Sequence, residues 1–179
     1  MTTMKLRLIT GSLALAACSY VPAVAQDTLS SDKSFLHEAA EGNLFEINLA
    51  KLALEKSKDA NVRKFATKMI EDHEKMARDM KPLMVKLGAK PATSPSISDR
   101  AKYEELKLKS GNDFDRGYVE AMVKDHNDDL KKFTDEEQKT TNAEVKTAVG
   151  KASKTIREHT EMIDSIARMG GIQTPPMPS

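Results

Sequence analysis

K-M-I-E-D-H-E-K-M, residues Lys68 to Met76, returns in altered form as K-T-I-R-E-H-T-E-M from Lys154 to Met162, and a shorter echo, M-V-K-D-H, runs from Met122 to His126. Each copy sets an aliphatic residue, one spacer, an acid and then a histidine. Working outward from the first copy, Val62, Phe65, Ala66, Met69, His73, Met76, Met80, Leu83 and Leu87 fall on one side of a 3.6-residue repeat. That spacing predicts a long amphipathic helix. Pro82 should bend it near its end, Gly88 stops it, and Pro91 lies beyond.

The same periodicity extends along the chain. Leu36, Ala40, Ile47, Ala50 and Leu54 mark a first helix starting near Ser31, with Ser31 or Asp32 as its cap and Ser57-Lys58-Asp59 as the turn after it. Pro91 to Ser98 reads as a loop and Asp99 to Lys109 as a short helix. Asn112 or Asp113 then caps a long helix striped by Phe114, Tyr118, Met122, His126, Leu130 and Phe133. Past a turn at Thr140 to Asn142, Val145, Val149, Ala152, Ile156, His159, Ile163 and Ile166 alternate steps of four and three, a heptad pattern. Four such helices of about 25 residues with short first and last connections make an all-α, antiparallel four-helix bundle, with a short extra helix in the middle connection. That connection either crosses the bundle end or runs along a side. The bundle domain spans 26–171, and 172–179 is a Pro-rich tail expected to be disordered.

Composition agrees with a helical domain: 31% of residues are charged and only 4% aromatic, with no Trp. A net charge of +1 without a basic cluster leaves no footprint for nucleic acid. Residues 1–25 read as an export signal. Lys5 and Arg7 precede a largely apolar stretch of ten, Leu8 to Ala17, and Ala23-Val24-Ala25 provides a small-x-small cleavage pattern before Gln26. A stretch of ten is too short to span a bilayer. The expected location is the periplasm or another extracytoplasmic space, and the partner an envelope protein or a small ligand. Leu15-Ala16-Ala17-Cys18 gives an alternative, a lipoprotein box that would tether the chain to the outer membrane through Cys18. Cys18 is the sole cysteine, so neither a disulfide nor a thiolate metal site is available within the chain.

The four histidines fall one per long helix: His37, His73, His126 and His159. The last three occupy stripe positions, and His73 and His126 each lie about 14 residues, or about 21 Å, from a hairpin turn. An inward imidazole is costly unless it gains a hydrogen bond, a charge partner or a metal. Two readings stand side by side. In one, His73, His126 and His159 ligate a divalent transition metal, with Asp72, Asp125, Glu158 or Glu41 as carboxylate partners. Glu46 lies further along the first helix. In the other, the imidazoles bond acids on adjacent helices and form a buried polar layer. Met69, Met76, Met122 and Met162, three or four residues from a histidine, add a softer version suited to Cu(I). No Gly-rich phosphate loop, G-x-S-x-G elbow or mature cysteine nucleophile is present, so no enzymatic activity is expected.

Phe35-Leu36 with Ala39-Ala40-Glu41-Gly42, Val62-x-x-Phe65-Ala66-x-x-Met69-Ile70-x-Asp72-His73 and Phe114-Asp115-x-x-Tyr118-x-x-x-Met122-Val123-x-Asp125-His126, with His159 beyond, resemble the bacterial family called domain of unknown function 4142. The resemblance covers roughly Asp32 to Arg168. It implies a ferritin-like bundle in exported or envelope-associated proteins, often labelled outer membrane proteins, whose biochemical function is not established. A carboxylate-bridged di-iron bundle needs Glu-x-x-His on two helices. Ile70, Val123 and Ile156 stand at those positions here, and all are apolar. The combined expectation is a non-enzymatic binding or structural bundle, with a His-based metal site as the alternative.

Overall fold

The computed structural model describes residues 23–178. Most of the expected export signal, Cys18 included, therefore lies outside the described residues. Five helices follow one another: α1 (Ala23–Lys56), α2 (Ala60–Leu87), α3 (Ile97–Lys107), α4 (Gly111–Lys139) and α5 (Ala143–Met169). No described helix is long and apolar enough to cross a membrane.

The turns form for local reasons. Asp59 caps α2 by accepting from the backbone N–H groups of Asn61 and Val62, and Asn142 caps α5 through those of Glu144 and Val145. Gly88 ends α2 at φ 68°, a left-handed conformation that a side chain would resist. Three boundaries differ from expectation. α1 already begins at Ala23, so Ser31 and Asp32 sit inside the helix, and Asp32 is buried beside Glu136 of α4 instead of capping. α3 starts at Ile97, because the Ser96 hydroxyl accepts from the Asp99 N–H and so caps earlier. α4 starts at Gly111 behind Ser110, where a φ of 54° at the glycine makes the sharp turn.

α1 packs on α2, α2 on α5, α5 on α4 and α4 on α1, which makes a square bundle with every neighbouring pair antiparallel. Two contacts mark its ends. At the upper end Lys56 Nζ donates to the Lys109 carbonyl at 2.7 Å, joining the α1–α2 turn to the start of α4. At the lower end Lys86 pairs with Glu144, joining the end of α2 to the start of α5. The middle connection therefore runs up the side of the bundle, and α3 packs against α1 and α4 on the way. Leu106 of α3 is fully buried against Gly117 of α4, where a Cβ would meet its Cδ2 at 2.8 Å. The 172–178 stretch has no regular structure. Even so, Met177 packs against the core, and Arg157 donates to the Pro178 carbonyl at 3.3 Å.

Side chains fill the bundle in two compartments. The upper one gathers Leu49, Phe65, Met69, Phe114, Tyr118 and Ile163. The lower one gathers Leu36, Leu83, Leu130, Phe133, Val149 and Ile156. On α2, α4 and α5 the residue between the two sets is His73, His126 and His159 respectively.

Candidate metal centre

His73 and His126 stand near the middle of helices of 28 and 29 residues, and His159 lies close to the same level on α5. Their exposures are 3%, 1% and 0%. The ring centroids are 5.3 Å apart for His73–His159, 5.5 Å for His126–His159 and 6.3 Å for His73–His126. Phe65 closes the cluster from the upper compartment, edge-on to His126 and His159 at 5.9 and 6.3 Å.

One nitrogen of each ring is committed to an oxygen. His73 Nδ1 donates to Asn43 Oδ1 at 3.0 Å and lies 3.2 Å from Glu46 Oε2. His126 Nδ1 donates to the Met122 carbonyl at 3.0 Å and lies 3.3 Å from Glu46 Oε1. His159 Nε2 donates to Asp72 Oδ2 at 2.7 Å. These acceptors fix the tautomers: the proton sits on the committed nitrogen and the lone pair on the other. The other nitrogens, His73 Nε2, His126 Nε2 and His159 Nδ1, are buried and have no hydrogen-bond partner. Ligand atoms of the three residues lie within 4.8 Å of one another. A point equidistant from three atoms so spaced is about 2.8 Å from each, so a shift of under about 1 Å per ring reaches the usual metal–nitrogen bond of about 2.0–2.1 Å.

Electrostatics keep the lone pairs free. Burial, reinforced by the other two rings, holds His73 well below the ordinary histidine range. Burial lowers His126 to about 3. It also lowers His159, against the opposing pull of Asp72. All three are neutral imidazoles near pH 7, the form that ligates metals. Burial tends to raise Asp72, but hydrogen bonds from Lys68 and His159 outweigh it and keep this carboxylate ionised. Glu46, 3% exposed, is pushed well above its usual range by burial and by Asp129 and Asp125.

Of the four carboxylates named from sequence, Asp72 alone hydrogen-bonds a clustered histidine. Glu41 instead approaches His37, at 3.8 Å, on the same helix, and His37 bonds the Lys90 carbonyl at 3.0 Å. Asp125 faces the α1–α4 side, where it lines a depression with Glu41, Asp99, Asp129 and Lys132. Burial and the neighbouring Asp129 raise it to about 7. Glu158 is exposed. The physical reason is rotation: an acid one residue before an inward histidine sits about 100° round the helix, and only on α2 does that direction meet a histidine on the neighbouring helix. Of the partners, Glu46 was noted in the sequence only as lying further along α1, and Asn43 was missed. They share a heptad-type spacing with Leu49, Ala50 and Ala53, all fully or nearly fully buried, and this would have placed them inward.

Each ring thus has one nitrogen anchored by an oxygen and one buried nitrogen without a partner, the outer-partner pattern typical of metal-ligating histidines. The sequence matches, over residues 19–166, the family described as Domain of unknown function (DUF4142). The chain belongs to this family. No curated protein matches this DUF4142 chain. Two solved structures share its fold. A DUF305 fragment from Deinococcus radiodurans aligns with a TM-score of 0.68 at 16% identity, covering 77% of this chain and 95% of that one. CopM in its Cu(I)-bound form aligns with a TM-score of 0.64 at 18% identity, covering 76% and 95%.

Proposed function

We propose that this DUF4142 protein is a non-enzymatic transition-metal-binding protein, holding one ion between His73, His126 and His159. The observation that carries the reading is the set of three buried ring nitrogens left without partners. A purely structural polar layer has no use for them, because a buried nitrogen without a hydrogen bond costs about 1–3 kcal/mol. Three such costs, on rings that offer ligand atoms within 4.8 Å of one another, find a common offset in a metal ion. Asp72, Glu46, Asn43 and the Met122 carbonyl act as orienting partners, and no carboxylate need enter the coordination shell. The ion supplies charge at the centre of the bundle. Divalent transition metals and Cu(I) both accept imidazole donors, and the likeness in fold to a Cu(I)-bound protein supports copper among them. Export to the periplasm or envelope, read from residues 1–25, or tethering through Cys18, belongs to the same proposal.

The test is elemental analysis of untagged protein purified from the periplasm, alongside His73→Gln and His159→Gln. One metal per chain in the wild type and little or none in both variants is expected. Metal-free wild-type protein that also fails to load with Cu(I), Zn(II) or Co(II) in vitro would overturn the reading.

A further inference from the structure

Below the histidine layer, a cavity of about 220 Å³ opens between α1, α2 and the lower parts of α4 and α5. His73 lines it, and so do Met76, Met80 and Met84 from the same face of α2. The spacing from Met84 to Met80, Met76 and His73 is four, four and three residues, so the track climbs the helix in two steps of about 6 Å between methionines and a last one of about 4.5 Å to the histidine. These methionines differ from Met69 and Met122. Met69 and Met122 are fully buried, as gap-filling core methionines are. Met76, Met80 and Met84 are only half-buried and sit beside open volume. Met76 and Met80 also line a second groove on the other flank of α2, between it and α5.

Resting on the metal-site reading above, we propose that the Met84–Met80–Met76 track is the path by which a soft monovalent ion, Cu(I), reaches His73, and that Cu(I) is the ion the site takes. Thioethers are neutral, soft and polarizable, and among biological ions they select Cu(I) over hard or strongly hydrated divalent cations. A hydrated divalent ion entering this cavity gives up water for ligands too soft to replace it. Cu(I) exchanges one sulfur for the next and finishes on the imidazole nitrogen of His73. Each methionine side chain is flexible enough to swing between neighbouring positions. The sequence had already set Met76 three residues after His73, and the fold extends that pair into a line of four.

The experiment measures binding and rate separately. Wild type, the triple variant Met76→Leu/Met80→Leu/Met84→Leu and the control Met169→Leu, at an exposed position at the other end of the bundle, are mixed anaerobically with acetonitrile-stabilised Cu(I) and quenched with excess chelator at set times. Leucine keeps volume and apolarity, so the fold should hold, and circular dichroism checks it. The expected result is one Cu(I) per chain in all three proteins, equilibrium affinities within about two-fold, and uptake at least ten-fold slower in the triple variant only. Unchanged uptake in the triple variant, with stoichiometric binding intact, overturns the path and leaves the metal site standing. Failure of the wild type to bind Cu(I) overturns the path together with the choice of ion; if Zn(II) and Co(II) also fail to bind, the site falls too.

Discussion

Glu46 on α1 holds two histidines of different helices with its two carboxyl oxygens: Oε2 lies 3.2 Å from His73 Nδ1 and Oε1 lies 3.3 Å from His126 Nδ1. A single carboxyl group thereby reaches two of the three rings, beside the Asn43 and Met122 oxygens that accept from them.

Glu46→Gln is expected to move stability and metal affinity in opposite directions. The folded-state pKa of Glu46 is raised, so its contribution to stability is fully present below the unfolded-state value near 4.5 and is lost as pH rises through the folded value. A glutamine cannot ionise, so the metal-free variant should have a higher urea midpoint than wild type at pH 8. Its metal affinity should fall, because the amide offers one acceptor oxygen where the carboxyl group offers two. Equal midpoints at pH 8 would contradict the burial argument.

Asp72→Asn should leave the bundle folded and weaken metal binding by roughly 10–100-fold, the usual effect of removing an orienting carboxylate behind a ligating histidine. Competition titration against a chromogenic chelator reads this directly. Asp72 also pairs with Lys68, so Lys68→Met is the control for loss of that contact alone and should change affinity by less than about three-fold, as surface pairs contribute little.

The metal-free protein should lose stability as pH falls below about 6.5. His126 has a folded pKa of about 3, below its unfolded value near 6.5. The unfolded chain therefore takes up the proton first, and folding weakens progressively between these two values. One such histidine gives a slope of up to about 1.4 kcal/mol per pH unit. Urea denaturation at half-unit intervals, compared with His126→Phe, measures it; the variant should show a shallower dependence.

Gly117→Val should loosen α3 from the bundle. A Cβ at this position comes within 2.8 Å of Leu106 Cδ2 and 3.2 Å of Lys109 Nζ. Overpacking of this kind costs about 1–3 kcal/mol. Hydrogen exchange should show faster exchange across 97–107 with the histidine layer unaffected.

The bundle was legible because α2 and α5 carry unbroken apolar stripes, and buried residues follow them from Val62 to His73 and from Val145 to Ile163. α1 was harder. The spacing selected Leu36, Ala40, Ile47, Ala50 and Leu54, whereas Ala40 and Leu54 are only half-buried and the inward face includes Glu46. A glutamate in mid-helix breaks the apolar pattern, and its surroundings, His73 and His126 on other helices, are what distinguish it from an exposed acid. Sequence periodicity carries no information about such partners. The level of the site was recoverable for a simpler reason. The two hairpin turns lie at opposite ends, and counting 14 residues from each meets in the middle because α2 and α4 have almost the same length.

The division of the apolar core has a mechanical consequence. With polar rings between them, the upper and lower compartments behave as two short bundles stacked end to end and joined by a thin septum. Prising open the lower one exposes only its own apolar surface, so breathing there costs a fraction of global unfolding. The upper bundle, carrying Phe65, Tyr118 and the docked α3, keeps its shape meanwhile. The chain can flex at its methionine-bearing end while the floor on which the imidazoles stand remains still.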